Sequence, residues 1–149
     1  MNSVKVSVAC LVYDKNDRIL LVKERQVIGV VYNQPAGHLQ PGETLIGGAV
    51  REVKERTGLT VEIDSLLGVY EHYFEETGSH VIRFCFLAKA PKDVDVTVDF
   101  HKTEIVSAEF HDKSELKSMR DKYRNPLVAI CIDDFYRGIR FKLDMIKFV

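Results

Sequence analysis

Two glutamates, Glu52 and Glu55, lie three residues apart in a stretch with a helical pattern. Residues at that spacing share one face of an α-helix, so the two carboxylates would lie side by side. Carboxylate oxygens, together with carbonyl oxygens from a neighbouring loop, are ligands that suit Mg²⁺. A magnesium ion held there could bind phosphate oxygens and activate a water molecule. On spacing alone, a solvated acidic helix face that binds nothing is the commoner outcome.

The residues around these glutamates predict the elements that would position them. Asn33–Gly42 contains two prolines and two glycines, which predicts a loop. Leu45–Arg56 predicts a helix, because apolar residues recur in it at helical spacing. Gly58 stands where a helix is expected to end. The apolar side of this helix would pack on the core and hold the acidic side in place.

Alternating, strand-like segments lie on both sides of this helix. Strands are predicted at Val4–Tyr13, Arg18–Lys23, Leu59–Ile63, Leu66–Phe74, Val81–Ala88 and Glu104–Phe110, and a polar connection at Lys89–Lys102. Two further helices are predicted, from Asp112 through Met119 and from Pro126 to about Arg137. This order predicts a single α/β (α+β) domain over residues 1–149, built on a mixed β-sheet.

The composition narrows the classes of function. With 149 residues and a formal net charge of -1, the chain has no general basic surface for nucleic acid. Its apolar stretches are too short to span a membrane, and its first residues do not form a secretory signal. The three cysteines, Cys10, Cys85 and Cys131, form no CxxC pair, which favours buried free thiols in a reducing cytoplasm. We expect a cytoplasmic monomer or homodimer.

The segment Gly37–Leu59 resembles the signature of the Nudix hydrolases. Eight positions match that signature in residue type and spacing: Gly37, Glu43, Arg51, Glu52, Val53, Glu55, Gly58 and Leu59. Stretches at 33–39, 125–129 and 143–146 resemble the NudJ-type phosphatase branch of this family. The resemblance implies an α/β/α sandwich and a hydrolase of phosphoric anhydride bonds that uses Mg²⁺, with Mn²⁺ as the alternative ion. It implies small-molecule substrates: nucleoside di- and triphosphates, or a thiamine-related compound such as hydroxymethylpyrimidine diphosphate, with release of phosphate.

The resemblance also implies roles for individual residues. Glu52, Glu55 and the backbone carbonyl of Gly37 would bind the metal ion, and Arg51 would orient the first of these acids. Glu104 would supply a further acid near the metal, although an exposed glutamate at a strand end is an equal alternative. Candidate substrate contacts, each with a purely structural alternative at a strand end or in a loop, are Lys23, Arg25, Asn33, Gln34 and His38.

Arg56 departs from the signature, because the family has a metal-binding glutamate at this position. Its spacing from Glu52 allows the two side chains to form an ion pair. Three outcomes are open. The guanidinium of Arg56 contacts the substrate phosphates and partly replaces a metal ion; or it turns outward and leaves Glu52, Glu55 and another acid to hold one metal; or it disables catalysis and leaves a protein that binds a nucleotide or diphosphate.

Overall fold

The computed structural model describes residues 3–27, 29–92 and 104–149. The strands in these ranges are β1 (Ser3–Tyr13), β2 (Ile19–Arg25), β3 (Val30–Asn33), β4 (Ala36–His38), β5 (Ser65–Phe74), β6 (Ser79–Lys89) and β7 (Ile105–His111). The helices are α1 (Leu45–Thr57), α2 (Lys113–Ser118) and α3 (Pro126–Tyr136), with short 3-10 turns at Arg120–Lys122 and Leu143–Met145. Most of the connection predicted at Lys89–Lys102 lies outside the described residues.

The strands form one mixed sheet, as the sequence predicts. Its order is β3-β2-β1-β6-β5, while β4 pairs with β1 and β7 pairs with β2. The central pair β1–β6 is parallel, and the other pairs are antiparallel. The strands predicted at Leu66–Phe74 and Val81–Ala88 are present as β5 and β6 and form an antiparallel pair, with Ser65 opposite Leu87 at one end and Phe74 opposite Ser79 at the other.

Apolar cores lie on both faces of this sheet, because side chains alternate along each strand. On β1, Ala9 and Leu11 belong to the core that includes residues of α2 and α3. Val8, Cys10 and Val12 belong to the core on the opposite face, which includes Ala49 and Val53 of α1. The expected α/β/α layers are therefore confirmed. No described helix has the length and apolar character needed to cross a membrane.

Two elements differ from the sequence-based expectation. The predicted strand Leu59–Ile63 is wrong, because this segment pairs with no strand in the part of the chain that the structure describes. Its alternating residues Leu59, Val61 and Ile63 are buried in the core beside α1, so burial alone accounts for the pattern. The predicted loop Asn33–Gly42 contains β4, which pairs with Ser7–Ala9 of β1 and is too short for its pattern to be recognised among prolines and glycines.

Helix α1 has well-defined ends. The Thr44 side chain accepts a hydrogen bond of 2.9 Å from the backbone N–H of Gly47 and caps the first turn. At the other end Gly58 has a φ of 79° and donates its N–H to the carbonyl of Lys54, at 2.9 Å. Glycine adopts this left-handed conformation at little cost. Both caps fix where the helix begins and stops, and so fix which residues of α1 face β4 and β2.

Candidate active site

Arg51 ties the loop before α1 to the helix itself. Its Nε and Nη2 donate to the two carboxylate oxygens of Glu43, at 2.9 and 2.8 Å, and Nη2 also donates to the carbonyl of His38 at 3.1 Å. Glu43 in turn accepts from the backbone N–H of Gln40, at 2.9 Å. The hydrogen bonds from Arg51 lower the pKa of Glu43 below its ordinary value, and those to Glu43 raise the pKa of Arg51. The bidentate ion pair between Arg51 and Glu43 therefore keeps residues 38–43 in one conformation.

The same arginine holds the two helix glutamates. Arg51 Nη1 donates to Glu52 Oε1 at 2.7 Å and to Glu55 Oε2 at 3.3 Å, so both carboxylates converge on one nitrogen. Glu52 is only 4% exposed, whereas Glu55 is partly exposed. Arg51 and Glu55, four residues apart, thus form an ion pair, and a hydrogen-bond network fixes the acidic side of α1.

Gly37 brings the backbone of β4 against Glu52. A Cβ added to this glycine would lie 2.2 Å from Glu52 Oε1. No larger residue fits unless the carboxylate moves, and Arg51 and Arg56 hold that carboxylate by its two oxygens. The glycine is therefore required by this close approach of backbone to carboxylate.

Arg56 turns inward, which differs from the second of the three outcomes that the sequence leaves open. Its Nε donates to Glu52 Oε2 at 2.8 Å, and its Nη1 donates to Glu24 Oε2 at 3.2 Å. Glu24 lies on β2 and is 1% exposed. Its Oε1 accepts a hydrogen bond from Arg124 Nη1 at 2.8 Å, which forms a second ion pair. The guanidinium of Arg56 thus bridges two buried carboxylates that come from different elements.

Comparison with known proteins agrees with this geometry. A family model of the NUDIX domain matches residues 4–129. The chain belongs to the Nudix family. A NUDIX hydrolase from Nitrosomonas europaea shares 34% identity, with 99% of this chain and 98% of that one covered and a TM-score of 0.88. The phosphatase NudJ of Escherichia coli strain K12 is 29% identical over 95% of this chain and 89% of its own length. The MutT protein of Methanosarcina mazei Go1, at 21% identity over 92% of this chain and 96% of that one with a TM-score of 0.75, shares the fold.

Membership of the Nudix family sets the type of reaction. The chain is a phosphohydrolase that acts on phosphoric anhydride bonds, in a family that uses divalent metal ions and small-molecule nucleotide or diphosphate substrates. The Nudix signature of the sequence is the part of the molecule that Arg51 holds together. Arg56 stands inside that signature.

The acidic side of α1 offers two carboxylates, those of Glu52 and Glu55, as oxygen donors for a metal ion. Glu52 and Glu55 converge on Arg51, and the backbone of Gly37 lies directly against Glu52. Carboxylate and carbonyl oxygens are suitable ligands for a hard cation. Over residues 3–27, 29–92 and 104–149 there is no group of three or more His, Cys, Asp or Glu side chains that could hold a metal. Arg56 occupies the place where a further carboxylate would complete such a group.

A cavity of about 420 Å³ lies next to the Nudix signature. Gly37 lines it, and so do eight polar residues, Ser7, Gln26, Asn33, His38, Arg56, Arg83, Arg124 and Asn125; Phe74, Val81 and Leu127 form an apolar wall. Of the candidate substrate contacts, Asn33, His38 and Arg56 are thus brought together around one space.

The other candidates lie elsewhere. Lys23 and Arg25 flank Glu24 on β2, and neither is among the lining residues. Gln34 is fully buried, donates to Cys85 Sγ at 3.4 Å and accepts from Arg83 Nη1 at 3.4 Å. Glu104 is exposed just before β7, and its carbonyl accepts from the backbone N–H of Arg25. Functional roles for these four residues stay predictions.

Three charged residues of the site are missing from the sequence-based list: Glu24, Arg83 and Arg124. For two of them a signal exists. Glu24 follows Leu20 and Val22 on the same face of β2, and Arg83 lies between Val81 and Cys85 on the same face of β6. A charge on an otherwise apolar strand face predicts a buried ion that needs a partner. Arg124, just before α3, has no such signal.

Replacing Gly37 with alanine is expected to lower kcat by about 10-fold to 100-fold, because the new methyl group must displace the Glu52 carboxylate from Arg51 and Arg56. Steady-state kinetics together with thermal unfolding would measure this. Gly47→Ala is the comparison variant, since its added methyl group would lie 2.8 Å from Thr44 Oγ1 and so disturb the cap of α1 without meeting Glu52. Equal losses of activity in both variants would contradict the assignment of Gly37 to the site.

Proposed function

We propose that this protein is a magnesium-dependent hydrolase that releases phosphate from nucleoside di- or triphosphates or from a related small-molecule diphosphate. Hydroxymethylpyrimidine diphosphate is the thiamine-related example that the NudJ-type resemblance favours. The observation that supports the proposal is the pairing of two features: carboxylates held on α1 by Arg51, and an arginine-lined cavity beside them.

In this proposal Glu52, Glu55 and the carbonyl of Gly37 hold one Mg²⁺, for which Mn²⁺ can substitute. The bound ion would withdraw charge from phosphate oxygens and lower the pKa of a water molecule. Arg51 orients the carboxylate of Glu52, because its Nη1 donates to Glu52 Oε1 at 2.7 Å. Glu43 holds the loop against the helix through Arg51. Glu104 stays a candidate base.

Arg56 contributes positive charge in two ways. Its hydrogen bonds to Glu52 and Glu24 neutralise carboxylates that would otherwise repel a phosphate. As a cavity-lining guanidinium it can also donate directly to phosphate oxygens, which match its planar fork. The same contact occupies Glu52 Oε2, so metal binding competes with an ion pair inside the protein. We therefore expect turnover that needs a high concentration of metal ion.

A second candidate function follows from that competition: a Nudix-fold protein that binds a nucleotide or diphosphate and cleaves it poorly. The ion pair of Arg56 with Glu52 favours this second function.

The three buried free cysteines of the protein support the cytoplasmic location expected for either function. Whether the protein is a monomer or a homodimer, and the expectation that it does not bind nucleic acid, stay predictions.

Product analysis separates the two functions. The purified protein is incubated with nucleoside di- and triphosphates and with hydroxymethylpyrimidine diphosphate in Mg²⁺, in Mn²⁺ and in EDTA, and the products are identified by ³¹P NMR. We expect orthophosphate that forms only with a divalent ion. Monophosphate and pyrophosphate from a triphosphate would instead place the cleavage at the internal bond. Binding of these compounds with no metal-dependent product from any of them would overturn hydrolysis in favour of the second candidate.

A further inference from the structure

Arg83 is a buried cation whose side-chain hydrogen bonds, among the described residues, go to neutral groups only. Its side chain lies on β6 and the residue is 6% exposed. Nε donates to Ser7 Oγ at 3.2 Å and Nη1 donates to Gln34 Oε1 at 3.4 Å, and both acceptors are neutral. No Asp or Glu within the described ranges forms an ion pair with it. Burial lowers the pKa of Arg83, and the nearby charge of Arg124 lowers it further. An unpaired buried charge is costly, so proteins normally pair it.

This unpaired cation lines the same cavity as Arg56 and Arg124. Arg56 and Arg124 both donate to Glu24, Arg56 to its Oε2 and Arg124 to its Oε1, and Arg56 also donates to Glu52. No acidic residue is among the described residues that line the cavity. Three guanidiniums therefore surround a space of about 420 Å³, and among the described residues Arg83 has no ion-pair partner, although the nearby charge of Glu24 favours its charged form. An anion bound in the cavity would supply that partner.

Asn33 adds an unfilled acceptor to the same space. It is 4% exposed, and its Oδ1 has no hydrogen-bond partner among the described residues. An unsatisfied buried acceptor costs on the order of 1–3 kcal/mol, which a ligand with an N–H or O–H group would recover. Phe74, Val81 and Leu127 offer an apolar surface beside it. The cavity thus suits a ligand with an anionic end and a ring that carries a hydrogen-bond donor.

We propose that Arg83 and Arg124 form a phosphate-binding site in this cavity that works without a divalent metal ion, with Asn33 accepting a hydrogen bond from the ring of the same ligand. The identity of the ligand as a diphosphate ester rests on the proposed function. In this arrangement arginine supplies the positive charge that binds the phosphates, and the metal ion serves turnover. Arg83 and Arg124 then affect substrate affinity alone, whereas Arg56, which contacts Glu52, affects both substrate affinity and metal affinity.

Arg83→Met distinguishes this site from a structural arginine. Methionine has a similar volume, and replacing a buried charge with an apolar residue is often neutral or stabilising. We expect Arg83→Met to unfold at the same temperature as the wild type or higher, and to bind inorganic pyrophosphate at least about tenfold more weakly. Arg124→Met tests the same site at a partly exposed position, and its thermal unfolding is measured as well, because the change removes the hydrogen bond from Arg124 to the buried Glu24. Arg137→Met is the matched control, because its side chain is 73% exposed and Arg137 does not line the cavity.

The measurement is isothermal titration calorimetry with inorganic pyrophosphate in EDTA, repeated with Mg²⁺. We expect the wild type to bind pyrophosphate in EDTA, and Arg83→Met and Arg124→Met to lose affinity while Arg137→Met does not. Binding that requires Mg²⁺, or an unchanged affinity in both cavity variants, would overturn the proposal even if hydrolysis is confirmed. Binding in EDTA without any metal-dependent hydrolysis would instead leave this site standing and overturn the proposed function. Asn33→Leu tests the proposed contact with the ring of the ligand. We expect this variant to lose affinity for a nucleoside diphosphate and to bind pyrophosphate as tightly as the wild type does.

Discussion

Glu52→Gln is expected to lower kcat/KM for phosphate release by about 10²-fold to 10⁴-fold, the largest loss of any single substitution in this site. Glutamine keeps the size of the side chain but removes the charge that a metal ion requires. It also places an amide NH₂ group where Arg51 or Arg56 now donates, at 2.7 and 2.8 Å, so two donors would face each other. The substitution therefore removes the charge that binds the metal ion and also disturbs the hydrogen bonds that orient the side chain.

Glu62→Gln serves as the control for this prediction, because Glu62 is exposed and follows α1 in the chain. We expect it to keep the activity of the wild type. Thermal unfolding of both variants checks that the loss in Glu52→Gln is not a loss of folded protein. If the Glu52→Gln enzyme keeps a kcat/KM within about twofold of the wild type, Glu52 has no role in the reaction.

Much of the site could be predicted from the sequence because its spacing is local. Arg51, Glu52 and Glu55 lie within one and a half turns of one helix, so the helical repeat alone places their side chains together. The ion pairs Arg51–Glu55 and Arg56–Glu52 are both present at the predicted spacing. The mixed sheet and its helical layers also follow from the order and alternation of the segments, since each apolar face needs a partner.

The partners of Arg56 and Arg124 could not be predicted in the same way. Glu24 lies 32 residues before Arg56 and 100 residues before Arg124, and only the packing of β2 against α1 and the start of α3 brings them together. The sequence marks Glu24 and Arg83 as charges on apolar strand faces, but it does not identify what they contact. Whether Arg56 points inward or outward depends on Glu24, so that question also needed the tertiary structure.

Leu59–Ile63 illustrates a related limit. Its alternation correctly predicts which side chains are buried, namely Leu59, Val61 and Ile63. Alternating burial requires an extended segment on the core, whereas a strand also requires a neighbour with free backbone groups. The sequence pattern reports the first condition and not the second.

Arg56→Glu is expected to have the second large effect, this time on metal dependence. It would place a carboxylate beside Glu52 and Glu24, where the guanidinium of Arg56 now bridges them. Without metal the three acids repel one another, so we expect a lower unfolding temperature in EDTA. With metal they complete a set of acidic ligands, so we expect the Mg²⁺ concentration for half-maximal turnover to fall by roughly 10-fold to 100-fold. Arg56→Gln removes the positive charge without adding a ligand, which separates the two contributions.

The Mg²⁺ dependence of phosphate release, measured at saturating substrate for the wild type, Arg56→Gln and Arg56→Glu, tests most directly whether Arg56 occupies a metal-ligand position. We expect Arg56→Glu to require the least Mg²⁺ for half-maximal turnover, Arg56→Gln to require more, and the wild type to require the most. If Arg56→Glu requires as much Mg²⁺ as the wild type, or more, then position 56 does not contribute to the metal site, and Arg56 does not occupy a metal-ligand position.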